Sequence, residues 1–128
     1  MHARLGLVLL AVTDLPRACA FYRAAFGFDV TVEVPVYVEL ALPDGMRLGL
    51  YAREGFARNT GQLPVEVPQG AIAGSELYFL VDDVEAAAAR LEAAGGRLLS
   101  ARAARYWGDE AAYYADPNGN VVVVARTL

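Results

Sequence analysis

The chain has 128 residues, a formal net charge of −4, 56% hydrophobic residues and 20% charged residues. This describes one globular domain, large enough to bury a core without disulfides or structural metals and too short to hold a second. Scattered arginines on an acidic chain give no electrostatic footprint for nucleic acid, and no apolar run is long enough to span a bilayer. The single cysteine, Cys19, excludes an intramolecular disulfide and fits a reducing, cytoplasmic setting.

Arg4 followed by the apolar stretch Leu5 to Val12 faintly suggests a secretory signal. The run has too few residues and no small-residue cleavage site, so it is expected to be a buried strand. Thr13 or Asp14 then caps a helix with Pro16 in its first turn. Its apolar stripe is Leu15, Ala18, Cys19, Tyr22, Ala25 and Phe26, and Gly27 stops it. Cys19 lies on that stripe with nothing basic beside it, which makes it a core residue rather than a nucleophile. Strands are predicted at Asp29 to Val34 and Val36 to Leu42, and Pro43-Asp44-Gly45 turns the chain into another from Met46 to Tyr51. From Ala52 to Ser75 neither helical nor strand period is sustained, and the segment reads as a linker or lid.

Glu76 to Val81 restores the strand pattern, Asp82 or Asp83 caps an alanine-rich helix from Val84 to Ala94, and Gly95-Gly96 stops it. A shift of 69 residues places Val12 on Val81, Asp14 on Asp83, Leu15 on Val84 and Gly27 on Gly96. Near the end, Tyr113, Tyr114 and Ala115 lead into Asp116-Pro117-Asn118-Gly119-Asn120 and the run Val121 to Val124, a β-hairpin signal. Pro43-Asp44-Gly45 falls on Pro117-Asn118-Gly119 at a shift of 74. The fold class is therefore α+β, with two tandem βαβββ modules at about 4–51 and 76–126 joined through about 52–75.

Three segments carry a more specific likeness: Leu10-Ala-Val-Thr-Asp-Leu-Pro-Arg-Ala-Cys-Ala-Phe-Tyr22, Val81-Asp-Asp-Val84, and Trp107-Gly108 followed by Asp116-Pro-Asn-Gly-Asn120. Together they resemble the vicinal oxygen chelate superfamily, which includes glyoxalase I, extradiol dioxygenases, fosfomycin-resistance enzymes and bleomycin-resistance proteins. The resemblance implies that each module curls a four-stranded sheet into a cleft and that the protein is a homodimer. In metal-dependent members of the superfamily, ligands come from the first and last strand of each module. Carried onto this sequence, those four positions hold Leu7, Gly49, Glu76 and Val123. A divalent metal needs three or four nitrogen, oxygen or sulfur donors converging at about 2.0–2.2 Å, and only Glu76 offers one. The sole histidine, His2, lies in the terminal segment. No metal and no other cofactor is expected.

If those positions mark the cleft face, alternation adds Leu9, Ala11, Arg47, Tyr51, Tyr78, Leu80, Val121 and Ala125 to it, with Tyr37, Glu39 and Tyr113 from the hairpins. The other face is uniformly apolar, as a face under helices must be. The expected ligand-binding residues are Tyr37, Glu39, Arg47, Tyr51, Glu76, Tyr78, Trp107 and Tyr113, a mostly aromatic lining with a few charges. Arg47 and Glu39 read equally as a pair that neutralises itself on adjacent strands. Trp107 reads as a stacking platform at the mouth or as an anchor for the Arg102 to Trp107 loop.

The resulting expectation is a metal-free binding protein that would sequester an aromatic or amphipathic antibiotic or metabolite. Two alternatives stand beside it. One is a metal-independent lyase or isomerase with Glu76 as base and Arg47 or Tyr113 stabilising an oxyanion. The other is a glyoxalase-like or dioxygenase-like metalloenzyme. The only partners expected are a small molecule and a second copy of the chain.

Overall fold

A computed structural model describes residues 1–128. It contains two four-stranded mixed sheets and three helices, and no closed barrel. The first module runs β1 (Val8–Val12), α1 (Leu15–Phe26), β2 (Asp29–Val34), β3 (Tyr37–Ala41) and β4 (Arg47–Ala52), and α2 (Arg53–Thr60) follows it. The second runs β5 (Glu76–Leu80), α3 (Val84–Ala93), β6 (Arg97–Ala104), β7 (Asp109–Ala115) and β8 (Val121–Thr127). The sheets have orders β1-β4-β3-β2 and β5-β8-β7-β6, with the outer hairpins antiparallel and β1–β4 and β5–β8 parallel. The duplication read from the turns and caps is thus a duplication of topology. No helix is long and apolar enough to cross a membrane.

Asp14 and Asp83 cap α1 and α3, each accepting from the backbone N–H three residues on at 3.0 Å. Between the sheets and these helices lies one core of 18 buried residues, which takes Leu10, Val12, Leu48 and Leu50 from the first sheet and Val122 and Val124 from the second. Both sheets therefore turn the same kind of face to α1 and α3. The apolar stripe of α1 differs from the expected one: Phe21 is buried, whereas Cys19 and Phe26 are only half-buried against the core. The opposite sheet faces look away from the helices, and on the second sheet Ala111, Val121, Val123 and Ala125 form a separate small cluster there.

Three sequence expectations need correction. The segment after β4 opens with α2, although periodicity predicts no helix between Ala52 and Ser75. Gly61 stops it in the left-handed conformation, but its start is unmarked: Ala52 at the N-cap offers no side-chain acceptor, and α2 has eight residues of which only Gly55 is buried. A Cβ at Gly55 would lie 2.5 Å from Tyr51 Cε1, so glycine here is what lets α2 rest on the tyrosine ring. Second, the left-handed residue after α3 is Gly95, not the Gly96 that the 69-residue shift pairs with Gly27. Third, Arg102 continues β6, so the expected Arg102 to Trp107 loop shrinks to a tight connection after Ala104.

The modules are latched by one buried carboxylate. Tyr22 on α1 donates its hydroxyl to Asp116 Oδ2 at 2.5 Å. Asp116 also accepts from the backbone N–H groups of Asn118 and Asn120 and from the Asn120 side chain. Asn118 Oδ1 accepts from the Thr13 N–H at 2.9 Å, a second bond from the final hairpin to the start of α1.

Replacing Tyr22 by Phe removes the hydroxyl and should lower stability by about 1.5–3 kcal/mol, the range for a hydrogen bond to a charged group, measured by urea unfolding. Burial first, and then the adjacent Asp116 carboxylate, hold the Tyr22 phenol well above its ordinary value of 10. The folded chain keeps a proton that the unfolded chain releases near pH 10. This stabilisation is complete below that pH and declines as pH rises toward the folded value. The alkaline fall in stability should be shallower in Tyr22→Phe than in the parent; equal slopes would contradict the assignment.

Candidate functional site

The residues expected to line the cleft form two sets, one on each sheet, and no hydrogen bond runs between the sets. On the first sheet, Glu39 is only 7% exposed. Its carboxylate accepts from the Tyr37 hydroxyl at 2.7 Å and from Arg47 Nη1 at 3.2 Å. Both carboxylate oxygens are thus engaged, so Arg47 and Glu39 chiefly satisfy each other. Burial, reinforced by the bond to Glu39, keeps the Tyr37 phenol protonated far above its usual range. The Tyr37 ring packs against Tyr51 at a centroid distance of 5.0 Å, and Tyr51 meets Phe56 of α2 edge-on at 6.5 Å.

On the second sheet, Tyr78 donates to Asp109 Oδ2 at 2.6 Å and accepts from Trp107 Nε1 at 3.0 Å. The chain Trp107–Tyr78–Asp109 fixes the indole at the rim, where it remains 45% exposed. Burial and the bond to Asp109 raise the Tyr78 phenol. Tyr113 lies under the Arg105 guanidinium, 5.0 Å from the ring centroid, a cation–π contact. Arg105 is held by the carbonyls of Ala101 and Ala111 at 2.8 and 3.0 Å. Desolvation and then the Glu76 charge raise the Tyr113 phenol, and Arg105 opposes them. Glu76 itself is exposed and has neither a hydrogen-bond nor an ion-pair partner.

The four positions that hold metal ligands elsewhere in the superfamily sit in equivalent places in the two modules. Leu9 pairs with Gly49 and Tyr78 with Val123, so Leu7 and Glu76 each stand two residues before the direct partner of the last-strand position. The side chains present do not fit a metal. A Cβ at Gly49 would lie 2.6 Å from the Tyr37 hydroxyl and 2.9 Å from Leu9 Cδ2, so the space of a ligand there is filled by a tyrosine and a leucine. Val123 is fully buried, its register partners being Tyr78 and Tyr113. No group of three or more His, Cys, Asp or Glu comes together anywhere in the chain. Cys19 lines a separate groove between α1 and β2, and burial pushes its thiol upward, away from the thiolate a nucleophile needs.

Along β1 and β5 lies a cavity of about 790 Å³. Leu9, Leu10 and Ala11 of β1, Glu76 of β5, Arg53 and Phe56 of α2 and Glu66 of the following segment line it. Of the eight expected binding residues, only Glu76 borders this cavity. Sequence reasoning missed Arg53, Phe56, Arg105 and Asp109. Asp109 follows Trp107-Gly108 closely enough to have been weighed with it, whereas Arg53 lies in a stretch without periodicity.

The sequence of residues 4–124 matches the family model described as Glyoxalase/Bleomycin resistance protein/Dioxygenase superfamily. The chain belongs to that superfamily. Among solved structures, it resembles a glyoxalase/bleomycin resistance protein/dioxygenase family enzyme from Burkholderia phytofirmans PsJN at 28% identity, with 98% of this chain and 100% of that one covered and a TM-score of 0.82. A lactoylglutathione lyase from Agrobacterium tumefaciens is 25% identical, covering 98% and 95% with a TM-score of 0.74. A glyoxalase-related enzyme from Fulvimarina pelagi shares the fold at 24% identity and a TM-score of 0.86, with 97% and 88% covered. No curated protein matches the sequence. Membership of the superfamily agrees with the resemblance seen in the motifs.

If Gly49 is needed to admit the Tyr37 ring, Gly49→Ala should lose about 1–3 kcal/mol by overpacking. Adding Tyr37→Ala should recover part of that loss. Strictly additive losses in chemical denaturation would show that the ring is not what the glycine accommodates.

Proposed function

We propose that the chain is a small-molecule-binding protein that holds an aromatic or amphipathic compound in its cleft without a metal, either to sequester it as a bleomycin-resistance protein does or to carry it. The observation that supports this most is the replacement of the ligand positions by packing. Tyr37 and Leu9 close over Gly49, and Val123 is buried between Tyr78 and Tyr113. What remains is stacking surface with a few placed polar groups, the composition of a binding pocket rather than of a Lewis-acid site. The cavity along β1 and β5, which only Glu76 of the expected binding residues borders, is of drug-sized volume, about 790 Å³. A homodimer in the cytoplasm is the assembly and setting that fit this reading.

Glu76 favours a second reading, a metal-independent lyase or isomerase. Its carboxylate is exposed, unpaired and close enough to Tyr113 to raise that phenol, so a general base and a proton donor stand together. The superfamily's name and the lyase among its structural relatives keep this reading open, but the lyase's own activity is not carried over at 25% identity.

Trp107 is the only tryptophan, so its emission reports on the rim. Titration with a panel of planar aromatic phenols, amines and acids should quench or shift it saturably for at least one class. Tyr78→Phe, which frees the indole, should weaken binding severalfold. A panel with no saturable response would contradict the binding reading. Turnover of a bound compound that Glu76→Gln abolishes without weakening binding would replace sequestration with catalysis.

A further inference from the structure

The cavity between β1 and β5 carries a cation with unspent hydrogen-bonding capacity. Arg53, the first residue of α2, has a side chain only 16% exposed. Its Nη2 donates to the Pro64 carbonyl at 2.6 Å. Its Nη1 lies 3.7 Å from Glu66 Oε2, beyond hydrogen-bond distance. Its Nε is buried and has no partner. Guanidinium groups are normally satisfied when buried, because a desolvated donor left unpaired is destabilising, and only Arg105 Nε shares this state. Arg53 faces the cavity together with Leu9, Ala11 and Phe56, and Asp14, Arg17, Glu66 and Glu76 also line it.

From this geometry we infer that the ligand of the cleft is a carboxylate, anchored on Arg53, with its apolar body against Phe56 and the β1 side chains. The inference deepens the proposed binding function and rests on it. Glu66 is the chain's own precedent for the contact. It is an exposed side chain on the segment that closes the cavity, and its carboxylate approaches the guanidinium without completing a bond. It therefore acts as a loose competitor that an incoming carboxylate displaces, after which two charge-assisted bonds in the planar fork replace one weak pair. The seam adds further polar groups: β1 and β5 each have only one neighbour in their sheets, so both leave an unpaired backbone edge.

Calorimetric titration with matched pairs, phenylacetate against phenylacetamide and 1-naphthylacetate against 1-naphthylacetamide, tests this on the whole chain. The acids should bind about tenfold or more tightly than their amides, and Arg53→Gln should erase that preference. If Arg53→Gln does not fold, Glu66→Gln decides: removing an exposed partner should leave stability nearly unchanged and tighten the acids by about two- to fivefold, with the amides unaffected. Acids and amides binding equally well would overturn the carboxylate inference and leave the aromatic cleft standing. An unchanged acid affinity in Glu66→Gln would overturn it as well. If no member of either pair binds, the carboxylate inference falls, and the wider tryptophan titration decides the binding function separately.

Discussion

The arrangement of the two modules depends on one buried carboxylate. Asp116 sits in the final turn with four bonds converging on it, three from its own hairpin and one from Tyr22 in the other module. A carboxylate out of water is tolerable only when its lone pairs are filled in this way, so the closed hairpin and its docking on α1 satisfy the same group. The duplication does not repeat the device. The positions equivalent to Tyr22 and Asp116 are Leu91 and Leu42, both apolar parts of the core. One end of the pseudo-symmetric molecule is thus fastened by polar bonds, and elsewhere it is held by packing, such as that of Phe26 against Phe79 at 4.4 Å. This asymmetric latch sets β1 beside β5 and so creates the cavity between them.

The cleft faces show how a scaffold associated with metal chemistry can be filled in. On both sheets, aromatic side chains lie over the strand that would present a carboxylate: Tyr37 over Gly49, and Tyr78 with Tyr113 beside Val123. The hydroxyls of Tyr37 and Tyr78 are each committed to a carboxylate, and the Tyr113 ring lies under Arg105. Polar groups at such a site orient a ligand more readily than they activate one. The exposed Glu76 is the exception, and is the residue on which any catalytic role would turn.

Much of this architecture is legible in the sequence because the turns, caps and strand alternation are local signals, and two imperfect copies of each reinforce the other. The alternation of Leu10 and Val12 against Leu9 and Ala11 sorts the sheet faces as the structure does: Leu10 and Val12 are buried in the core, whereas Leu9 is exposed and Ala11 half-buried. What is not legible depends on contacts between distant residues. Nothing near Tyr22 announces Asp116, 94 residues away. Gly49 reads as a missing ligand, and only the position of the Tyr37 ring shows that the space is taken. The helix α2, and Arg53 with it, is not legible because its start has no capping side chain and its eight residues carry no apolar period, only Gly55 being buried against Tyr51. The charged pair Arg47–Glu39 was ambiguous until its geometry showed both carboxylate oxygens engaged.

The claim on which the rest turns is that packing has replaced the metal site. Its most direct test is elemental analysis of the protein purified from cells without chelators, alongside titration of the purified protein with zinc, nickel, manganese and ferrous ions. The account predicts no stoichiometric transition metal and no saturable binding in the cleft. One equivalent of metal per chain, lost on Glu76→Ala, would contradict it.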